Sequence, residues 1–156
     1  MNHGRRIAVA ITILAVMWLL AIVTSPVLLA RGQAQIPTIA AYQIGSLVCH
    51  QRPERSFHLA GIQMPVCARC FGLYLAGAVG LVFAWIGRLR LPSHTTKVIM
   101  ALAAAPIVLT VALEMLGAIT TSNVVRLSTG LPLGFAAGLL IVGSLTSVSN
   151  SAMIES

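Results

Sequence analysis

The chain has three cysteines, Cys49, Cys67 and Cys70, and all of them fall in the 22-residue segment CHQRPERSFHLAGIQMPVCARC. Cys67 and Cys70 form a C-x-x-C pair, a spacing that brings two sulfurs close enough to share a metal ion or to form a strained, reactive disulfide. Cys49 is separated from Cys67 by 17 residues and is followed directly by His50, with His58 farther along the same segment. Three thiolates and one imidazole are the complement of a Cys3His structural zinc site. Adjacent ligands at 49 and 50 are geometrically awkward, which makes His58 the alternative to His50 as fourth ligand. Ordinary burial of small thiols is the plain structural alternative, since free Cys is among the most buried residue types.

Positive charge gathers around the thiols. Arg52, Arg55 and Arg69 lie in the same segment, opposed locally by Glu54 alone. Guanidinium forks suit phosphate or carboxylate recognition, so an anionic lipid headgroup or a small anion is the expected partner, with interfacial snorkelling as the structural alternative. Arg69, between the two cysteines, also favours their thiolate forms. Glu114 is the one acidic residue within an apolar stretch, and it shares a helix face with Thr110 and Pro106. Ionisable groups in a membrane usually face the bundle interior. A pair with Arg126 is the simplest structural explanation, and a proton-handling or metal-associated carboxylate is the functional one. Arg126 joins the anion candidates, while Asn123 and Tyr74, one turn beyond Cys70, are expected as polar support. Gln51, Pro53 and Ser56 are expected to shape the loop, and His3 and His94 fall at the other face.

The elements that must position these residues follow from composition. Of the 156 residues, 58% are hydrophobic and 8% charged, whereas an ordinary soluble domain has roughly a quarter of its residues charged. The expected class is an all-α integral membrane bundle of four transmembrane helices, forming a single domain over residues 1–156. The spans are expected at residues 7–30, 71–86, 98–119 and 127–148, the third carrying Pro106 as a kink or a source of a freed carbonyl. The first could be taken for a signal peptide, but its 24 apolar residues fit an anchor. Residues 31–66 form the one long connection and, with the mouth of the second span, make a Cys/His-containing site loop of residues 31–70. The net charge of +7 then marks membrane-flanking segments rather than nucleic-acid binding.

Arg5, Arg6, Arg88, Arg90 and Lys97 favour cytoplasmic termini in a multi-pass protein of the cell membrane, with the site loop extracytoplasmic. Arg31, Arg52, Arg55, Arg69 and Arg126 equal them in number on the other side, but Arg52, Arg55 and Arg69 look committed to a site. Whatever the orientation, four alternating spans put the first and third connections on one face. Cys49, His50, Cys67, Cys70, Glu114, Asn123 and Arg126 are thereby expected at one end of the bundle. Small residues recur every fourth position at Ala68, Gly72, Ala76, Gly80 and Ala84, and again at Gly130, Gly134 and Gly138. Without a hydrophobic drive in lipid, such rows let helices approach closely, so the second and fourth spans are expected to pack together.

A C-x-x-C at the mouth of a span in a four-span chain resembles the disulfide-forming membrane oxidases and the vitamin K epoxide type of quinone reductase. That resemblance implies thiol–disulfide exchange at Cys67 and Cys70 with Cys49 as resolving thiol and a quinone as electron acceptor. Those systems use a second cysteine pair, where this chain offers Cys49 alone. The stretches CHQRPERSF and PVCARCFGLYLAG, followed by TSNVVRLSTG, resemble the signature of the domain-of-unknown-function 2085 family of bacterial and archaeal membrane proteins over roughly residues 40–145. In the second block Thr121, Ser122, Asn123, Arg126, Thr129 and Gly130 carry the match. The chain departs from the pattern at Glu114, where Asp is expected, and at Phe71, where Thr is frequent. The position of His58 varies in that pattern, which favours His50 as ligand. The resemblance implies a site and no activity.

Three readings follow. The first is a zinc site of Cys49, His50, Cys67 and Cys70, mainly structural because three thiolates fill most of a tetrahedral shell, with an anionic ligand or partner held nearby. The second is the thiol–disulfide oxidoreductase. The third is an accessory or assembly subunit without chemistry of its own. Four short spans enclose little volume, which favours an oligomer, a partner membrane protein or a site at the bundle surface over a transporter acting alone.

Overall fold

The computed structural model describes residues 3–33, 36–87 and 93–151. Four long apolar helices form the bundle: α1 (His3–Ala30), α3 (Ala68–Gly87), α4 (Ser93–Met115) and α5 (Asn123–Ser151). All four are long and apolar enough to cross a membrane. Ile13, Leu14 and Met17 of α1 and Leu102, Val108 and Leu109 of α4 point outward, as side chains facing acyl chains would. Arg88 and Arg90 lie outside the described residues, while Lys97 is exposed in the first turns of α4.

The long connection contains more structure than its composition announces. Residues Ile36–Val48 form a further helix, α2, too short at 13 residues to span a bilayer. Pro37 near its start is tolerated because the first-turn N–H groups have no intrahelical partner. A 3-10 turn at Pro53–Arg55 follows, then a two-stranded hairpin of β1 (His58–Leu59) and β2 (Ile62–Gln63). Ala60 and Gly61 link the strands with positive φ angles of 51° and 79°, the backbone of a type I′ turn.

The helix boundaries place the site residues. α3 begins at Ala68, so that Cys67 precedes its first turn and Cys70 lies within it. α4 continues through Pro106, whose carbonyl accepts from Thr110 Oγ1 at 2.8 Å. It stops at Met115 rather than near residue 119. There Gly117, at φ 70°, donates to Glu114 and Ala118 donates to Leu113, the Schellman closure that a left-handed glycine permits. Glu114 is therefore held in the last turn. α5 starts at Asn123, which puts Arg126 one turn inside that helix.

α3 and α5 make the most extensive contact between elements, along the two rows of small residues. A Cβ added at Gly72 would collide with the Leu127 carbonyl, and one at Gly134 with the Leu73 carbonyl. The backbones touch directly, the contact on which helix pairs in lipid rely. α1 packs on α2, α3 and α5, and α4 packs on α5.

Candidate metal centre and arginine-lined cavity

Each cysteine reaches the site from a different local structure. Cys49 ends α2, and its own N–H donates to the Gly45 carbonyl at 2.9 Å. Gln51 then takes a positive φ of 47°, turning the chain back over the bundle. Its amide donates to the carbonyls of Tyr42 at 2.9 Å and Pro65 at 2.6 Å, and Gln63 donates to the Gln51 carbonyl. The Tyr42 hydroxyl reaches the Gln63 carbonyl at 2.6 Å. These bonds knit α2, the turn and the hairpin into one cap, with Met64 and Val66 buried beneath it. Gln51, assigned from the sequence only to loop shape, holds the two halves of the cysteine segment together.

The sulfurs of Cys49, Cys67 and Cys70 all lie within 4.8 Å of one another. Cys49 is buried and the other two half-buried, and all three are free thiols. The backbone N–H of Cys67 donates to Cys49 Sγ at 3.2 Å. Hydrogen bonds from the Cys67 and then the Cys70 thiol to the Cys49 sulfur hold the Cys49 thiol well below its usual range, against the opposing effect of burial. Cys67 and Cys70 flank the start of α3. Ile22, Trp18, Phe57, Phe71 and Tyr74 wall the cluster on its apolar side. Trp18 meets Tyr74 edge-on at 6.1 Å, and Phe57 meets Phe71 at 6.2 Å.

Neither histidine belongs to the sulfur group. His50 is exposed and lines the adjoining cavity, while His58 is exposed on β1. That cavity, of about 380 Å³, is lined by Cys49, Cys67 and Cys70 together with Arg52, Arg55, Arg69 and Arg126. One void thus joins all the thiols to all four anion-binding candidates.

Glu114 governs the inner arginines. Its carboxylate lies 3.0 Å from Arg126 Nη2 and 3.3 Å from Arg69 Nη2, and Thr121 Oγ1 also donates to it. Arg126 Nη1 donates to Asn123 Oδ1 at 3.1 Å, and Asn123 Nδ2 donates to the Ser56 carbonyl at 3.1 Å. Asn123 thereby ties the 3-10 turn, which carries Arg52 and Arg55, to the first turn of α5. The sequence pointed to the pairing with Arg126; it missed that Arg69 shares the same carboxylate, although Glu114 is the one acid inside a span and both arginines fall at its end of the bundle. Thr121 was legible only as part of the second motif block.

The family comparison agrees with a membrane protein. A family model described as predicted membrane protein (DUF2085) matches residues 49–140, more than half of the chain. An uncharacterised protein of Methanocaldococcus jannaschii is 35% identical over 63% of this chain, and the match spans 64% of that relative's length. An uncharacterised protein of Methanothermobacter thermautotrophicus is 32% identical over 60% of this chain and 83% of its own length. No solved structure matches the chain.

Proposed function

The chain belongs to the DUF2085 family of predicted membrane proteins, whose matched region opens at Cys49 and takes in every cysteine, Glu114 and Arg126, and we propose that it is a multi-pass protein of the cell membrane that binds zinc through Cys49, Cys67 and Cys70. The observation that carries this reading is the mutual approach of three free sulfurs within 4.8 Å. Tetrahedral zinc holds thiolates about 2.3 Å from the metal, which puts neighbouring sulfurs close to 4 Å apart. The N–H donated to Cys49 Sγ favours an anionic sulfur of the kind such an ion needs.

Zinc there joins the end of α2 to the start of α3, so the ion fixes the cap over the bundle. His50 is the imidazole adjoining this site in sequence and in the cavity lining. Its position outside the sulfur group favours a three-thiolate core over dependence on that ring. Termini in the cytoplasm and a cap outside are supported by Arg69 and Arg126 being paired with Glu114. Those two charges are spent on the bundle and count little in the topology.

Metal analysis of the chain purified in detergent tests the reading. About one zinc per chain is expected under reducing conditions, lost on changing any one of the three cysteines to serine. A reduced preparation without metal overturns it. A Cys67–Cys70 disulfide in metal-free protein taken from cells would support thiol–disulfide exchange instead.

A further inference from the structure

The cavity beside the sulfurs has a charge that the metal reading leaves uncompensated. Four guanidinium groups line it, and the Glu114 carboxylate opposes them by one unit. Three thiolates exceed the charge of a divalent ion by one more. Glu54, on the same turn as Arg52 and Arg55, is exposed, does not line the cavity and pairs with neither arginine among the described residues. Two positive charges therefore remain among the groups that meet at the void, the charge of a phosphate dianion. Arg52 and Arg55 carry that excess: neither guanidinium has an ion pair or hydrogen bond among the described residues. Their backbone is nonetheless held, by Ser56 Oγ donating to the Arg52 carbonyl at 2.9 Å and by Asn123 gripping the Ser56 carbonyl. The donors are thus presented on a fixed turn, the arrangement that lowers the ordering cost of binding.

Two further observations point to a ligand. Arg69 Nε is a buried N–H without a partner, on a side chain that lines the cavity; such a group normally costs stability unless something accepts from it. The sulfur group supplies three of the four positions of a tetrahedral ion and no imidazole, and its sulfurs line the same void as the arginines. At about 380 Å³ that void is in the range of small-molecule sites and has room for more than one phosphate group.

We propose that the cavity binds a phosphate group, with one phosphate oxygen in the fourth coordination position of the metal and the others held by Arg52 and Arg55. This rests on the metal reading above. Exposed apolar residues of α2, Leu47 and Val48 among them, run up to the cavity at Val48. The phosphate can therefore come from water or from a lipid headgroup.

Cobalt substitution separates the two levels of the proposal. Chain loaded with Co²⁺ in a maltoside detergent is titrated with inorganic phosphate, with dihexanoyl phosphatidic acid and with acetate as a control, while the thiolate–cobalt and d–d absorption bands are followed. Saturable changes are expected with a phosphate and not with acetate. In the Arg52→Ala/Arg55→Ala double variant the half-saturating concentration rises about tenfold or more at unchanged cobalt content; the paired lysine variant recovers part of the loss. Saturation by inorganic phosphate identifies a free ligand, and saturation by the short-chain lipid alone identifies a headgroup. Cobalt held by three thiolates with a spectrum that neither phosphate moves overturns the inference and leaves the metal reading standing. So does an equal response to acetate, or an equal response in the double variant. A chain that takes up no cobalt overturns the metal reading and this inference with it.

Discussion

Glu114 and Arg126 meet at 3.0 Å across the α4–α5 interface, with the carboxylate side chain only 7% exposed. The same carboxylate holds Arg69 of α3 at 3.3 Å, so one acid ties together three helices. Burying charge is costly, and such a triad adds little to stability relative to an apolar cluster of equal volume. Its consequence is specificity. It sets the register of α3, α4 and α5 at the end of the bundle where Cys67, Cys70 and the arginine-lined cavity must form.

Glu114→Gln leaves two guanidinium groups in a buried setting with no opposing charge. A loss of about 3–5 kcal/mol is expected, as for breaking other buried pairs, measured by reversible unfolding in mixed micelles. Glu114→Asp keeps the charge on a shorter side chain and should recover part of the loss. A change within about 0.5 kcal/mol for Glu114→Gln, the range of ordinary surface substitutions, would show that the carboxylate does not compensate the arginines.

The spans, the convergence of the polar residues at one end and the α3–α5 contact were legible because each rests on a pattern that survives without long-range information. The length of an apolar run, the alternation of crossings and a four-residue small-residue row are all local. α2 was not legible as a helix: at 13 residues, without charge, it is too short for a span and lacks the polar face that marks an amphipathic surface helix. Its period shows only in hindsight, at Ile36, Ile39, Ile44 and Leu47, all exposed. Glu114 was expected to pair with Arg126; that it also takes Arg69 depends on how α3 and α4 turn toward each other, which no local pattern encodes. The end of α4, expected near residue 119, was missed: Gly117 takes a left-handed backbone that closes the helix before the apolar run is finished, and the run's composition does not show that.

Gly134 and Gly77 stand on facing helices but differ in what a methyl group would meet. A Cβ at Gly134 runs into the Leu73 carbonyl, whereas one at Gly77 comes no nearer than 3.6 Å to the Gly134 carbonyl. Gly134→Ala should therefore force α3 and α5 apart at a cost of about 1–3 kcal/mol. Gly77→Ala should be neutral or gain up to about 1 kcal/mol of helix propensity. Unfolding of the two variants in parallel checks the contrast. Equal effects would mean that the helix pair does not approach as closely as its backbone contacts describe.

His50 and Cys49 are neighbours in the chain with different surroundings, one exposed beside the cavity and the other buried in the sulfur group. Cys49→Ser should remove bound zinc, because it takes away a thiolate and the acceptor of the Cys67 N–H. His50→Ala should leave about one zinc per chain, with affinity lowered by no more than the roughly 10–100-fold typical of outer-sphere changes. Zinc content after dialysis against a weak chelator separates the two. Loss of zinc from both variants alike would make His50 a ligand, as the Cys3His spacing of the sequence expects.

Orientation follows from which arginines are free to act on topology. The two sides of the membrane carry equal numbers of basic residues by sequence, but Arg69 and Arg126 are bound to Glu114, and Arg52 and Arg55 line the cavity with them. Subtracting those leaves Arg31 on the site side against Arg5, Arg6, Arg88, Arg90 and Lys97 on the other. Positive residues flanking spans favour the cytoplasm, so the termini should lie inside and the metal site outside. In a chain whose native cysteines are replaced by alanine, a cysteine at the exposed Ser122 should react with a membrane-impermeant maleimide on intact cells. One at the exposed Lys97 should react only after permeabilisation. The reverse pattern would place the site in the cytoplasm, where a reducing milieu keeps thiols free to bind metal and disfavours a structural disulfide.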